Sequence, residues 1–189
     1  MTGAVFLDRD GTLSEEVGYM SYPDCFRLYP CAGEAIRRLN KAGIPVVLVT
    51  NQSGIARGFF REDLVHAVHA RLENELALAG ARLDAIYYCP HLPEGEIEPY
   101  ARDCECRKPK PGMLIRAAAD LGLDVRSSFV VGDRYSDLET AFRAGSRGVL
   151  VLSGYGEGEY LYQRDSWPRQ PDHVARDVGE AVDWILAGA

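Results

Sequence analysis

Asp8 and Asp10 stand two residues apart, behind the apolar run Ala4 to Leu7 and ahead of Gly11. If that run is a strand, positions i and i+2 at its end can point to one side, and Gly11 lets the chain turn at once. Two close carboxylates repel unless a cation or a proton lies between them. Alone, the pair fits a solvated turn as well as a metal site. Two further apolar runs carry comparable groups at their ends. Val46 to Val49 is followed by Thr50, Asn51, Gln52, Ser53 and Gly54. Phe129 to Val131 is followed by Gly132, Asp133, Arg134 and Asp137. Asp133 could complete a hard-oxygen site, and Mg2+ suits a site with few protein ligands and several waters. Asp137, one helical turn past Asp133, fits two roles. It could orient a water or a nearby cation, or it could serve as a carboxylate at a helix N-terminus.

A second constellation is Cys89-x-His91-x12-Cys104-x-Cys106. Three thiolates and one imidazole make a closed set, the composition of a structural zinc site. The C-x-H and C-x-C spacings are shorter than those of zinc fingers. The total of five cysteines is odd and clustered. In a cytosolic chain that favours metal binding over a disulfide framework. Cys25 and Cys31 read as free, with a bond between them left open. His66, His69 and His173 have no such company and read as solvated.

These groups need a frame. Ala85 to Tyr88 and Gly148 to Leu152 are two more short apolar runs without alternation. Near-continuous Val, Leu and Ile suit buried parallel strands. Between the runs lie helix-period segments. Leu64, Val68, Leu72 and Leu76 form an i+4 stripe. Pro111 suits a first helical position before Leu114, Ile115, Ala118 and Leu121, with Gly122 closing the helix. Leu138, Ala141 and Phe142 form another face, ended by Gly145. Asp177 and Glu180 have capping-box spacing ahead of Val178, Val182, Ile185 and Leu186. This order implies an α/β doubly wound parallel sheet, with ligands beyond the carboxyl ends of its strands. Residues 1–189 read as one domain. Its two long irregular segments, Ser14 to Cys31 and Cys89 to Lys110, are too short for a cap domain. Ser153 to His173 reads as an unassigned, flexible surface loop.

Composition excludes several classes of function. With 189 residues and 47% hydrophobic content the chain can bury a core. No apolar run reaches the ~18 residues of a membrane span, and the first residues lack a signal peptide's basic region. The expectation is a cytoplasmic protein, without membrane association. A formal charge of −7 disfavours a broad nucleic-acid footprint. A local positive pocket remains open to Arg9, Arg57, Arg107 and Arg134, with Arg61 and Lys110 read as surface charges.

FLDRDGTL, VVLVTNQSG, the lysine of RKPKPGM and VVGDRYSD resemble, in order, the four motifs of the haloacid dehalogenase superfamily of phosphatases. The resemblance implies a Rossmann-like fold and a Mg2+-dependent phosphoric monoester hydrolase. Asp8 would be the nucleophile and Asp10 the acid and base. Asp8, Asp133 and the Asp10 carbonyl would hold Mg2+. Thr50 and neighbouring amides would hold the phosphoryl oxygens, and Lys108 would neutralise charge. CPHLPEG followed by CECRKPKPGM narrows the resemblance to a zinc-loop branch that acts on sugar bisphosphates. Heptose 1,7-bisphosphate is foremost, losing its 7-phosphate during nucleotide-activated heptose synthesis. Histidinol phosphate, or another small phosphomonoester, is the alternative. A non-catalytic zinc-stabilised binding module is disfavoured, because Asp8, Asp10, Thr50, Lys108 and Asp133 are all present. By motif, Glu16, Val17, Gly18 and Tyr19 would contact the sugar, Asn51, Gln52 and Ser53 the phosphate, and Arg107 and Arg134 the substrate. Val17 departs from a histidine, and Arg134 from a lysine. A monomer is expected.

Overall fold

The computed structural model describes residues 2–188. Six parallel strands form one sheet in the order β3-β2-β1-β4-β5-β6. They are β1 Val5–Leu7, β2 Val46–Asn51, β3 Ala85–Cys89, β4 Phe129–Gly132, β5 Arg147–Val151 and β6 His173–Ala175. The order reverses between β1 and β4, the place where such sheets open a crevice at their carboxyl ends.

The lack of alternation in the strands has a direct cause. Both faces of the sheet are covered. In register, Val5 pairs with Val46, Phe6 with Val47 and Leu7 with Leu48. Val5, Leu7, Val46, Leu48 and Val131 face one core, shared with α1 (Ala32–Lys41), α2 (Glu62–Leu78) and α6 (Val178–Leu186). Phe6, Val47, Val49 and Val130 face the other, shared with α3 (Gly112–Leu121) and α4 (Tyr135–Ala144). Every residue of β1 and β4, and β2 as far as Thr50, therefore leaves water whichever way it points, and selection for apolar residues acts along these central strands.

The expected helices form, with small shifts at their ends. Pro111 is the residue before the first turn of α3, not its first member, while Gly122 and Gly145 follow α3 and α4 as expected. Asp177 accepts from Glu180 N at 3.0 Å at the start of α6. Glu180 instead reaches Arg176 N, at 2.7 Å, one residue before the cap.

Two corrections concern the C-terminal third. Residues 153–173 are not a flexible loop. They contain α5 (Gly156–Gln163) and a short 3-10 turn, Arg164–Ser166. Trp167 packs against Leu138 and Leu150 and stacks on Tyr135. The second is β6, a three-residue strand with no apolar run to announce it. Neither long irregular segment builds a cap. The first folds back along its own start, with Ser14 bridged to Leu28 and Phe26 fully buried.

Candidate functional site

β1 ends at Leu7, so Asp8 is the first residue beyond it. β4 ends at Gly132, so Asp133 holds the same place one strand over. Asp8 N donates to Val131 O at 3.0 Å and keeps the two ends level. One turn into α4, Asp137 points back at them. Oxygens of Asp8, Asp133 and Asp137 all lie within 4.8 Å of one another, and all three residues are buried. Asp133 Oδ2 accepts from Tyr155 N at 2.9 Å. Its Oδ1 is buried with no partner. This packing needs glycines. A Cβ on Gly11 or Gly154, both at positive φ, would lie 2.1 or 2.2 Å from Asp133 Oδ2.

Lys108 is the one cation in the cluster. Its Nζ donates to Asp8 Oδ1 at 2.7 Å and to Val49 O at 3.0 Å. Asp137 Oδ1 sits 2.6 Å away on another side. Burial alone would discharge the amine, but Asp137 and Asp8 outweigh it and raise its pKa. The carboxylates show the opposite strain. Burial pushes Asp8 up to about 6, helped by Asp137 and Asp10 and opposed by Lys108. Burial, then Asp8 and Asp137, pushes Asp133 up to about 8. Three buried carboxylates against one ammonium leave a deficit of positive charge. The orphaned Asp133 oxygen beside Asp8 fits a divalent cation, and an all-oxygen donor set suits Mg2+.

Both expected roles of Asp137 are realised. Oδ1 pairs with Lys108, while Oδ2 accepts from Arg134 N at 3.1 Å at the start of α4. One carboxylate thereby couples a helix terminus to the site.

Asp10 lies outside that cluster. Arg9 grips its carboxylate from Nε to Oδ1 at 3.0 Å and from Nη2 to Oδ2 at 2.8 Å. Gln52 Nε2 donates to Asp10 Oδ2 at 3.0 Å and to Thr50 Oγ1 at 2.9 Å. Asn51 turns elsewhere. Its amide exchanges two bonds, both 3.1 Å, with the backbone of Lys108. So the last residue of β2 and the one after it orient Lys108 and Asp10.

These groups floor a cleft of about 400 Å³. Glu16, Gly18 and Tyr19 form one wall, and Ser53, Arg57 and Arg107 another. Arg134 closes a third side with Tyr155, whose ring lies 3.8 Å beneath its guanidinium. Val17 is a correction. It points to solvent, 44% exposed, and does not line the cleft. Gly18, at a φ of +73°, turns the chain here, and Glu16, Gly18 and Tyr19 line the cleft around it. Arg61 stays outside, and Lys110 pairs with Asp103 at 2.7 Å, as surface charges do.

The second constellation assembles as expected. Cys89, His91, Cys104 and Cys106 offer ligand atoms within 4.8 Å of one another. Cys89 Sγ lies 3.1 Å from Cys106 Sγ and 3.5 Å from Cys104 Sγ, far beyond a disulfide bond. The hydrogen bond between the Cys106 and Cys89 thiols pulls Cys106 down to about 5 and pushes Cys89 up. A lowered thiol is the direction that a soft metal requires of its ligands. Cys25 and Cys31 are free. Arg107, next after Cys106, donates to His91 O at 3.1 Å.

Three contributors escaped the sequence reading. Ser153 Oγ donates to Gly11 O at 2.6 Å, and Tyr155 N to Asp133. The rule applied to the other strand ends, extended to β5, points to them. His69 is the third, and the expectation of a solvated ring is corrected. It is 5% exposed and lies 3.2 Å from Arg9 Nη1. Its place four residues past Val65 and three before Leu72 puts it on the buried face of α2. His173 is half-buried, stacked on Trp184 at 4.7 Å, whereas His66 is exposed.

Known proteins give the same outline. Residues 105–181 match the HAD-hydrolase-like family model. The chain is 48% identical over 188 residues to D-glycero-D-manno-heptose-1,7-bisphosphate 7-phosphatase of Thermosynechococcus vestitus, covering 96% of this chain and 94% of that one. It is 43% identical over 183 residues to D-glycero-beta-D-manno-heptose-1,7-bisphosphate 7-phosphatase of Escherichia coli K12, covering 97% and 87%. A crystal structure of D,D-heptose 1,7-bisphosphate phosphatase from B. bronchiseptica, complexed with magnesium and phosphate, superposes with a TM-score of 0.88 at 33% identity over the whole of both chains. By sequence and fold alike, the chain belongs to the haloacid dehalogenase-like family of phosphatases that includes the heptose-bisphosphate phosphatases.

Proposed function

We propose that the chain removes the 7-phosphate of D-glycero-D-manno-heptose 1,7-bisphosphate through an aspartyl-phosphate, within nucleotide-activated heptose synthesis. The observation that carries the reading is the buried cluster of Asp8, Lys108 and Asp137 on the floor of an arginine-walled cleft, with Asp133 within 4.8 Å of both carboxylates. The relatives named above support the substrate.

Asp8 Oδ1, held by Lys108, is the attacking face of the nucleophile's carboxylate. Asp10, oriented by Arg9 and Gln52, donates a proton to the leaving sugar alkoxide. It then takes one from the water that hydrolyses the aspartyl-phosphate. Thr50, Ser53 and the amides between them bind phosphoryl oxygens, and Lys108 neutralises the charge that gathers there. Asp8 and Asp133, with the Asp10 carbonyl, are the residues that would hold Mg2+. When bound, that ion supplies the missing positive charge and a fixed place for the phosphoryl group. Glu16, Gly18 and Tyr19 meet the sugar, and Arg107 and Arg134 meet the second phosphate. Cys89, His91, Cys104 and Cys106 would hold Zn2+, which would order the segment that ends in Arg107 and Lys108.

We read the chain as one domain, acting as a cytoplasmic monomer. Among the described residues no helix is long and apolar enough to cross a membrane. The deciding experiment compares kcat/KM for both anomers of heptose 1,7-bisphosphate with that for histidinol phosphate. A preference for either heptose anomer is expected. A preference for histidinol phosphate would overturn the substrate assignment and leave the phosphatase chemistry standing.

A further inference from the structure

Arg9 and His69 are a buried charge and a buried imidazole that the chemistry above does not consume. Arg9 is 3% exposed, and it grips both oxygens of Asp10. Its remaining nitrogen, Nη1, lies 3.2 Å from His69 Nε2. A guanidinium only donates, so Nε2 must accept and the ring proton sits on Nδ1. The imidazole must also be neutral. Burial and the adjacent guanidinium ensure it, pushing His69 down to about 3. The ring is itself held. It sits on the buried face of α2 and packs edge-on against Tyr88 of β3, 5.8 Å between centroids. Tyr88 in turn donates to Glu62 at 3.1 Å.

Resting on the assignment of Asp10 as acid and base, we propose that His69 is a positioning residue for the reaction: it accepts from Arg9 and thereby fixes the carboxylate of Asp10. Three facts support this. The chain of contacts is unbranched, from α2 through Arg9 to Asp10. Every member but Asp10 is buried, so no water can take the place of the acceptor. Asp10 Oδ2 already receives two donors, from Arg9 and Gln52, whereas Oδ1 receives only Arg9 Nε. Oδ1 therefore keeps the free lone pair that carries the proton toward the leaving oxygen. A guanidinium without its acceptor at Nη1 can rotate, and Oδ1 then loses its aim. Without the acceptor, Nη1 would also be a buried unpaired donor beside a charge, which strengthens the drive to rearrange.

The test separates positioning from mere packing. His69→Gln places an acceptor near the position of Nε2. His69→Leu keeps the bulk without one, and His69→Asn is polar but too short to reach Arg9. Each is assayed with Mg2+ on a sugar phosphate and on p-nitrophenyl phosphate. An alkoxide needs a proton to leave, whereas nitrophenolate does not. The Leu and Asn variants should lose about tenfold or more in kcat/KM on the sugar phosphate, a part of what a general acid contributes. Their kcat should fall while KM stays within about twofold, and on p-nitrophenyl phosphate kcat/KM should change by less than about threefold. The Gln variant should keep most of the activity on both. Equal losses on the two esters, or a Gln variant no better than Leu and Asn, would overturn the proposal. So would Leu and Asn variants that do not fold beside a Gln variant that does, because His69 would then serve the fold. If the unaltered chain cleaves neither ester, the phosphatase reading fails, which is a different result.

Discussion

Lys108 Nζ donates to Asp8 Oδ1 at 2.7 Å, joining residues 100 positions apart in the chain. The ammonium also meets Asp137 at 2.6 Å and is almost wholly buried. One side chain thus balances Asp8 and the start of α4 together.

Asp8→Asn removes the nucleophile and keeps its shape. Turnover should fall by roughly 10^4-fold or more. The variant should still unfold cooperatively in a thermal melt. Normal phosphate release from a folded variant would refute the assignment of Asp8.

Lys108→Met should damage both activity and stability. Asp8 and Asp137 would lose their common partner in a buried site. Breaking a buried ion pair costs about 3–5 kcal/mol, and losing a charge-stabilising group about 10²–10³-fold in kcat. Chemical denaturation and steady-state kinetics on one preparation measure both. Unchanged denaturation midpoints would mean that the lysine is better solvated than the structure shows.

The carboxylates give a pH dependence of definite sign. Without a divalent cation, burial holds Asp133 up at about 8 and Asp8 at about 6, both above the ordinary carboxylate value of 3.8. The folded chain then binds more protons than the unfolded chain from about pH 4 to about pH 8, so these groups cost stability as pH rises through that window. A cation that replaces the protons relieves the cost. Mg2+ should raise Tm more at about pH 8 than at about pH 5, as read by calorimetry. Equal shifts at the two values would sink this account.

Zinc analysis should find about one ion per chain. Cys104→Ser, or chelation, should lower Tm and reduce activity together, since Cys106 is two residues from Lys108. The loss should be one of loop order, so protease cleavage should concentrate between residues 90 and 107. A zinc-free chain of full stability and activity would refute the site.

Gly154→Ala tests the segment after β5. A Cβ there would lie 2.2 Å from Asp133 Oδ2, at a φ of +59°. Left-handed backbone alone costs a non-glycine residue roughly 1–2 kcal/mol. Weaker Mg2+ activation, seen as a higher half-saturating concentration, is expected. An unaltered Mg2+ dependence would show that Asp133 does not rely on that approach.

How much was legible differs from place to place. Asp8, Thr50 and Asp133 could be found because each follows an apolar run, and a parallel sheet brings such positions to one edge. The cysteine cluster could be found because its ligands are close in sequence and only a soft metal unites them. Val17 was misplaced because the side on which a flap residue points depends on how the flap lies against the body. His69 was misplaced because a polar residue on a helix is ordinarily solvated, and its partner Arg9 is 60 residues away. The segment 153–173 was misread because its order comes from contacts with Gly11, Asp133, Tyr135 and Leu150, none of them local.

Residue types and their spacing by themselves determined five of the six strands, the polar groups at their ends and the Cys89, His91, Cys104, Cys106 cluster. Those follow from local periodicity and from groups that have few other uses. The resemblance already implied that Lys108 serves Asp8; tertiary structure alone decided that Asp133 keeps a bare buried oxygen, and that Arg9 and His69 stand behind Asp10. Each of these depends on which distant side chains share a low-dielectric space. Burial and charge pairing are properties of that space, and no local pattern encodes them.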